Sequence, residues 1–324
     1  MHTDALHIET PLIESAPLSA RCGGRVWLKM EALQPSGSFK LRGVGYACAT
    51  HAQRGARRFL CSSGGNAGMA VAYCGRKLGI PVAVIVPETT SARSIHAIRQ
   101  EGADVTVYGQ SWQESHEYAV RTSGPGCAYI HPFDDPLLWT GHATMIDEVL
   151  KQGFVPDEVV LSVGGGGLLC GVAEGLCRNG MDDVPIVAVE TVGADSLAAS
   201  LDCGAHVTLP SISSVATSLG ARRVADAAYT IASSGAVRSV VVSDCDAVRA
   251  CLDFWADHGV LVEPACGASL SVVYNRNEAL ATNGRILVIV CGGAGVTMAQ
   301  LETWSRELPN RAFERTSDSA GRST

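Results

Sequence analysis

The sequence has no long hydrophobic segment. Its 324 residues contain no stretch approaching the roughly 20 consecutive apolar residues that a helix needs to cross a bilayer. Residues 1–4 are not a positively charged region followed by an apolar block, which is the pattern of an export signal. We therefore expect a protein that neither enters a membrane nor is exported, and that stays in the cytoplasm.

Basic segments are absent as well. The 25 lysines and arginines are outnumbered by 32 aspartates and glutamates, so the formal net charge is −7, and no basic run is longer than two residues. Binding to DNA or RNA depends on clustered positive charge that neutralises phosphates. The composition therefore excludes nucleic acid as an expected partner.

The cysteines lack any metal-binding or disulfide pattern. All 12 are scattered, with no Cys-x-x-Cys pair and no Cys/His spacing suited to zinc. A chain of this length buries enough surface to fold without disulfides. We expect reduced thiols that lie mostly in the core.

Short apolar segments alternate with longer amphipathic ones along the chain. Residues 82–86 and 286–290 are continuous apolar runs, typical of strands in a parallel sheet that helices cover on both faces. The pattern predicts an α/β fold with strands at 26–30, 58–61, 82–86, 104–107, 159–163, 186–189 and 286–290. Helices are predicted at 69–78, 91–101, 112–121, 137–151 and 247–258.

One lysine follows a turn of small residues. Residues 34–43 read Gln-Pro-Ser-Gly-Ser-Phe-Lys-Leu-Arg-Gly, so Lys40 comes after Phe39 at the start of a helix. An amine with the usual pKa of about 10.4 is protonated and unreactive, but burial lowers the pKa and makes a lysine nucleophilic. Lys40 is therefore a candidate Schiff-base lysine, the alternative being a solvated surface residue.

Two glycine-rich turns each lie between a predicted strand and a predicted helix. Residues 61–68 read Cys-Ser-Ser-Gly-Gly-Asn-Ala-Gly, and residues 161–169 read Leu-Ser-Val-Gly-Gly-Gly-Gly-Leu-Leu. A helix N-terminus offers unpaired N–H groups and the positive end of a dipole, and glycines let the backbone approach an anion closely. Both turns are predicted to bind a carboxylate or a phosphate.

These segments occur in an order that resembles a known family. Residues 35–40, 62–68, 164–167 and 290–293 resemble the motifs of pyridoxal-phosphate enzymes of fold type II, and the resemblance extends over residues 28–299. Within that group, the chain is similar to the mammalian-type L-serine dehydratases, also called L-serine/L-threonine ammonia-lyases. That similarity is carried by residues 132–136, 162–171 and 261–268.

The resemblance implies two open, mostly parallel twisted sheets with helices on both faces, as in the tryptophan synthase beta-like fold. It implies a large cofactor-binding domain of residues 1–34 and 137–324, a small domain of residues 35–136 inserted in it, and a homodimer. The polar composition of residues 308–324 predicts a flexible tail. The implied substrates are small amino acids: L-serine would give pyruvate and ammonia, and L-threonine would give 2-oxobutyrate and ammonia.

The resemblance also assigns roles to individual residues. Lys40 would bind the aldehyde of pyridoxal 5'-phosphate covalently and then remove the substrate α-proton. Phe39 would cover the cofactor ring, while Asn66 would hydrogen-bond its phenolic oxygen and Cys291 would face its pyridine nitrogen. The remaining cofactor contacts would come from Gly164, Gly165, Gly166, Gly167 and Leu168. The substrate would bind to Ser63, Gly64, Gly65, Asn66 and Ala67.

A monovalent cation, potassium, is implied beside the phosphate. Glu190 ends a predicted strand, and the following residues 193–196 resemble the family's cation-binding segment. The implied ligands are oxygen atoms of Gly164, Glu190, Ala194, Ser196, Leu219 and Ala221. Oxygen ligands with one formal charge suit a large monovalent ion better than zinc. The alternative is a carboxylate that lies at a helix N-terminus or pairs with an arginine.

Two residues depart from the closest family members. Gly64 stands where they typically have alanine, and Ser218 replaces an alanine that packs near the ring. We expect the missing methyl group at Gly64 to enlarge the substrate pocket, so that threonine is tolerated relative to serine.

Other functions are compatible with parts of the sequence. β-Replacement, racemisation and elimination from an O-substituted serine use the same scaffold. A nicotinamide dinucleotide site would place Glu190 on a ribose, but Leu169 stands where the third fingerprint glycine belongs and Lys40 would be unexplained. A catalytically silent amino-acid sensor is disfavoured by the intact Lys40.

Overall fold

The computed structural model describes residues 5–281 and 283–308. These residues form two sheets with helices packed on them, one of six strands and one of four. The arrangement confirms the predicted α/β fold with two mostly parallel sheets. From residue 309 onward the predicted tail lies outside the described residues.

The six-stranded sheet has the strand order β1-β2-β10-β7-β8-β9. Its strands are β1 (Leu12–Glu14), β2 (Arg25–Lys29), β7 (Glu158–Ser162), β8 (Ile186–Thr191), β9 (Val237–Val242) and β10 (Arg285–Ile289). β1 is antiparallel to β2, and the other pairs are parallel. The parallel strands therefore end at one edge, where open α/β sheets usually bind ligands.

The four-stranded sheet has the order β5-β4-β3-β6, and all its pairs are parallel. Its strands are β3 (Arg58–Cys61), β4 (Val82–Val86), β5 (Asp104–Val107) and β6 (Cys127–Tyr129). This sheet lies inside the segment predicted as the inserted small domain. The domain boundaries themselves stay a prediction.

Twelve α-helices connect the strands of the described residues. They are α1 (Ala16–Cys22), α2 (Lys40–Gln53), α3 (Asn66–Leu78), α4 (Ala92–Gln100), α5 (Trp112–Thr122), α6 (Pro136–Lys151), α7 (Gly167–Arg178), α8 (Ser196–Cys203), α9 (Asp226–Ser233), α10 (Asp244–His258), α11 (Pro264–Tyr274) and α12 (Met298–Glu307). Within residues 5–281 and 283–308, none of the helices combines the length and the apolar character that a bilayer requires.

Burial accounts for the apolar runs of the sequence. Every residue of β4 and of β7 is buried, because helices cover both faces of each sheet. One hydrophobic core surrounds the six-stranded sheet, and a separate one lies on the four-stranded sheet. Each sheet therefore carries its own core, and the ends of their strands are free to form a site.

The predicted elements largely agree with the structure. Predicted strands 58–61, 82–86 and 104–107 coincide with β3, β4 and β5. The predicted helix 247–258 begins earlier, at Asp244, because the Ser243 side chain caps α10 by accepting a hydrogen bond from the Asp246 N–H. The sequence analysis did not predict β1, β6, β9, α1, α8, α9, α11 or α12.

Candidate active site

Lys40 is held at the start of α2 by contacts with the strand end after β10. The turn before it contains Gly37 with a left-handed φ of 79°, which favours glycine. Gly293 N donates to Gly37 O at 3.1 Å, and Phe39 N donates to Cys291 O at 2.9 Å. These two bonds join the turn before Lys40 to the segment that follows β10 of the six-stranded sheet.

The Lys40 amine has the properties expected of a nucleophile. Its side chain is half-buried, and Nζ donates to the Pro132 carbonyl oxygen at 2.7 Å. Burial lowers the pKa of Lys40 to about 8, although the Cys291, Cys61 and Glu263 side chains act in the opposite direction. A larger fraction of this amine is therefore neutral near physiological pH than of an ordinary lysine.

Phe39 and His142 form an aromatic pair behind the lysine. Their ring centroids are 4.8 Å apart and the rings are tilted by 55°. Gly43 N donates to His142 Nδ1 at 3.2 Å, so the ring proton lies on Nε2. Burial, together with nearby Lys40 and Arg42, lowers the pKa of His142 far below its usual value. His142 is therefore neutral, and the sequence analysis did not identify it.

The glycines of residues 164–167 are required by close packing. A methyl group on Gly164 would lie 2.9 Å from Ser218 O, and one on Gly165 would lie 2.2 Å from the Phe133 ring. Gly166 has a φ of 87° and Gly167 begins α7. The turn therefore ends in a helix N-terminus whose first N–H groups have no intrahelical partner, as predicted for an anion site. Leu168 is buried in the core of the six-stranded sheet.

Residues 63–67 connect β3 to α3, as the sequence predicted. The Ser63 hydroxyl accepts a hydrogen bond from Gly65 N at 3.3 Å, and Asn66 and Ala67 begin α3. The packing around Gly64 differs from the one expected, and the expected tolerance of threonine stays a prediction. A methyl group there would lie 2.5 Å from Thr90 Cγ2, so the space is filled by Thr90 and does not enlarge a pocket.

Asn66 faces a buried carboxyl group that the sequence analysis missed. Asn66 Nδ2 donates to Glu263 Oε1 at 2.7 Å. Burial raises the pKa of Glu263, while hydrogen bonds from Ser218, Asn66 and the Gly295 N–H lower it. Glu263 is 197 positions from Asn66 in the chain, so no local pattern indicated the contact.

Cys291 lies two residues after the end of β10, and its carbonyl oxygen accepts a hydrogen bond from Phe39 N in the turn before Lys40. Its side chain is 5% exposed and hydrogen-bonds Cys266, and burial also raises its pKa well above that of an ordinary thiol. The group is therefore a neutral thiol at physiological pH. A neutral thiol is a weak hydrogen-bond partner for a pyridine nitrogen, the group that the resemblance places opposite Cys291.

The residues of the implied cation site lie around the end of β8. Glu190 accepts hydrogen bonds from Leu197 N at 2.9 Å and Ala198 N at 2.8 Å, which is the arrangement given as the alternative for this residue. Burial raises the pKa of Glu190 to about 8. The buried Ser196 hydroxyl has no hydrogen-bond partner among the described residues. Ala194 N bonds Thr191 O, and Ala221 N bonds Leu219 O.

The predicted residues thus come from both sheets and approach one another near Lys40. Lys40, Asn66 and the residues 63–65 belong to the four-stranded part, whereas Gly164, Ser218 and Cys291 belong to the six-stranded part. The contacts between Asn66 and Glu263 and between Phe39 and Cys291 join the two groups. The Lys40 amine, the N-termini of α3 and α7 and the neutral Cys291 thiol therefore surround one region.

Comparison with known proteins identifies similar chains. The model of the family described as pyridoxal-phosphate dependent enzyme matches residues 4–292. The L-serine dehydratase/L-threonine deaminase of Mus musculus is 46% identical over 316 residues, which cover 94% of this chain and 97% of that protein.

Solved structures show the same similarity. The fungal L-serine ammonia-lyase from Rhizomucor miehei superposes with a TM-score of 0.88 at 34% identity, covering 93% of this chain and 99% of that one. Maize serine racemase superposes with a TM-score of 0.83 at 26% identity, covering 93% and 92% of the two chains.

Proposed function

The chain belongs to the family of pyridoxal-phosphate dependent enzymes, and from that membership we propose that it is a lyase that acts on L-serine and L-threonine. L-Serine would lose water to give aminoacrylate, and hydrolysis of aminoacrylate would take up that water and release pyruvate and ammonia; L-threonine would give 2-oxobutyrate and ammonia in the same way. The observation that carries the proposal is the Lys40 amine of lowered pKa, placed between the strand ends of two sheets. The names of relatives that match most of the chain supply the substrate class.

The residues present fit pyridoxal phosphate. The amine of Lys40 can condense with an aldehyde once it is neutral, and its pKa of about 8 makes that form accessible. The N-terminus of α7 follows glycines that allow a close approach and suits a phosphate. The buried Ser36 and Ser38 hydroxyls in the lysine turn have no partner within the described part of the chain, so they are available to a ligand.

The bound cofactor supplies an electron-withdrawing group that stabilises negative charge on the substrate α-carbon. Lys40 would anchor that cofactor and, after the substrate amine displaces it, accept the α-proton on Nζ. The Pro132 carbonyl, 2.7 Å from Nζ, orients the amine before it reacts. Phe39, packed on His142, would limit the movement of a ring beside it.

The substrate carboxylate would bind at the start of α3. The backbone N–H groups of residues 64–67 and the Ser63 hydroxyl are hydrogen-bond donors of the right kind, and the helix dipole favours an anion. The Cys291 thiol is neutral, so it cannot hold a pyridine nitrogen protonated as a carboxylate would. A substrate carboxylate held at α3 and a pyridine nitrogen that is not held protonated together favour loss of the β-hydroxyl group as the α-proton leaves.

We also propose potassium as a second bound group, held by Gly164, Glu190, Ala194, Ser196, Leu219 and Ala221. The unpartnered Ser196 hydroxyl and the carboxyl group of Glu190 in a buried position support this proposal. Gly164 lies against the backbone of Ser218 and Leu219, so the glycine turn and the segment that contains these two residues are neighbours. A cation between them would stabilise the ionised form of Glu190 and hold both segments in place.

Homodimer formation and a cytoplasmic location are proposed on the resemblance to the family. None of the 12 cysteines, all of which lie in the described residues, forms a disulfide, as expected for a reducing compartment. Light scattering coupled to size-exclusion chromatography would measure the mass in solution. A mass close to 33.8 kDa would contradict the dimer.

Racemisation is the second candidate reaction, because maize serine racemase has a similar structure. Both reactions begin with removal of the α-proton and differ in the next step. In racemisation the proton returns to the opposite face, whereas in elimination the β-substituent leaves.

One experiment separates these reactions. The purified holoenzyme is incubated with L-serine, L-threonine and O-substituted serines while 2-oxo acid, ammonia and D-amino acid are measured. The proposal predicts that 2-oxo acid and ammonia form fastest from L-serine or L-threonine. Faster reaction of an O-substituted serine, or a D-amino acid as the main product, would contradict it.

A further inference from the structure

Ser218 lies between two residues that belong to different parts of the fold. It is in the short 3-10 helix Thr217–Leu219, and its carbonyl oxygen packs on Gly164 of the glycine turn. Asn66 begins α3 beside the four-stranded sheet, and Glu263 is the residue that immediately precedes α11. Ser218 is one of the two residues at which the sequence analysis noted a departure from the family pattern.

The three side chains form a closed set of hydrogen bonds. Asn66 Nδ2 donates to Glu263 Oε1 at 2.7 Å and makes a longer contact of 3.5 Å with Ser218 Oγ. The Ser218 hydroxyl in turn donates to the Glu263 carboxyl group, which also accepts from the Gly295 N–H. Glu263 is only 4% exposed, so water cannot readily replace a lost partner.

This set fixes which way the Asn66 amide points. Both hydrogens of Nδ2 are directed at protein oxygen atoms, so Oδ1 faces away from Glu263. A reversed amide would place Oδ1 against a carboxyl oxygen that already accepts other donors, and two acceptors in contact repel each other. The N–H near Ser218 has the weaker bond and is therefore the one that a ligand beside Asn66 can take over.

From this geometry we propose that Ser218 and Glu263 are positioning residues that fix the orientation of the Asn66 amide for cofactor binding. The inference rests on the proposed function only in that Asn66 lies beside the cofactor. Glu263 decides which end of the amide faces the protein, and Ser218 directs the second N–H. With alanine at position 218, the second N–H of Asn66 Nδ2 would lack the hydroxyl group as its partner.

The test compares four variants of the full-length protein. Ser218→Ala removes the hydroxyl group, Ser218→Thr keeps it, and Glu263→Gln replaces one carboxyl oxygen by an amide nitrogen. Ser211→Ala, an exposed serine upstream of the same 3-10 helix, is the matched control. Ser218 is itself exposed, so its replacement by alanine leaves the core unchanged.

Two readouts are needed. The first is the hydrogen exchange rate of the Asn66 side-chain amide in the cofactor-free protein, followed by NMR with 15N-asparagine and assigned by the loss of its signals in Asn66→Asp. The second is the dissociation constant for pyridoxal phosphate, measured by fluorescence. Neither readout requires turnover, so a protein that fails to eliminate ammonia from serine would contradict the proposed function and leave this test intact.

In Ser218→Ala we expect amide exchange and the dissociation constant each to rise by about threefold to tenfold, as for the loss of one hydrogen bond. Glu263→Gln should have the larger effect, whereas Ser218→Thr should restore wild-type values and Ser211→Ala should not change them. Wild-type exchange and affinity in both Ser218→Ala and Glu263→Gln would overturn the proposal. Equal defects in Ser218→Ala and Ser218→Thr would also overturn it, because the hydroxyl group would then not be the cause.

Discussion

Single residues determine the chemistry of the site, and Lys40 shows this most clearly. Its amine donates to Pro132 O and is surrounded by protein atoms that lower its pKa to about 8. The sequence predicted this lysine because it follows a turn of small residues at a helix start. It did not predict Glu263 or His142, because both act through contacts between distant parts of the chain.

The lowered pKa of Lys40 predicts how cofactor attachment depends on pH. A lysine must be neutral to attack an aldehyde, so the attachment rate should rise with pH and level off above a midpoint of about 8. Stopped-flow absorbance of the cofactor-free protein mixed with pyridoxal phosphate measures the rate. A midpoint near the ordinary lysine value of about 10.4 would show that the site does not perturb this amine.

The contact between Gly64 and Thr90 predicts the effect of restoring the family's alanine. A methyl group at Gly64 would collide with Thr90 Cγ2, so Gly64→Ala should destabilise the protein by about 1–3 kcal/mol. Its kcat/KM values for both substrates should fall, because the substrate-binding turn must move.

The double variant Gly64→Ala/Thr90→Ala supplies the control. It removes the colliding atoms of the threonine, so it should recover most of the lost stability. Unfolding in urea measures the free energies. If Gly64→Ala is as stable as wild type and alters only the ratio of kcat/KM for threonine and serine, the pocket interpretation from the sequence would be right after all.

At the scale of elements, the success of prediction depended on the contrast between a buried and an exposed face. β4 is a continuous apolar run and was predicted with its correct ends. All residues of α11 are buried, so it shows no helical alternation, and it was missed. β9 was missed because it is a sheet edge with partly exposed residues in its middle. The glycine turns were predictable because each joins a strand to a helix.

The turn between β8 and α8 gives a prediction on potassium. The pKa of Glu190 is raised from 4.5 to about 8, so the folded protein keeps a proton that the unfolded chain loses, and stability falls as pH rises through that window. Bound potassium would favour the ionised carboxylate and offset this loss. The Tm in potassium chloride minus that in tetramethylammonium chloride should therefore grow as pH rises through this window.

Calorimetry of two variants checks the origin of the effect. Glu190→Gln should remove the difference between the salts, and Glu302→Gln, an exposed residue on α12, should keep it. One kcal/mol corresponds to roughly 1.5 °C in a protein of this size, which calorimetry can measure. A difference that is the same at all pH values, or that persists in Glu190→Gln, would argue against a cation at this position.

For the whole molecule, a buried ion network fixes α2, and with it Lys40, against the six-stranded part. Arg42 is fully buried and pairs with Glu31 at 2.7 Å and with Glu148 at 2.6 Å. Lys29 also bonds Glu148, at 2.8 Å. The composition did not predict this network, because its members come from three separate segments, residues 29–31, 42 and 148, and are brought together only by the fold.

Removing Arg42 should therefore be costly. Arg42→Leu leaves the buried Glu31 carboxylate without its charged partner and Glu148 with Lys29 alone, so we expect a loss of about 3–5 kcal/mol in the free energy of unfolding. Arg25→Ala, which breaks the exposed pair with Glu14, is the control and should change stability little. Urea unfolding followed by circular dichroism measures both variants. Equal, small losses would show that the network contributes no more than a surface pair.

The central claim is that this chain uses Lys40 to convert L-serine to pyruvate and ammonia. Its most direct test is a complete product balance for the holoenzyme and for Lys40→Ala, with pyruvate, ammonia and remaining L-serine all measured. The account predicts equal amounts of pyruvate and ammonia that match the serine consumed by the wild type, and no product from a folded Lys40→Ala. Pyruvate formation by Lys40→Ala at the wild-type rate, or consumption of serine without pyruvate, would contradict it.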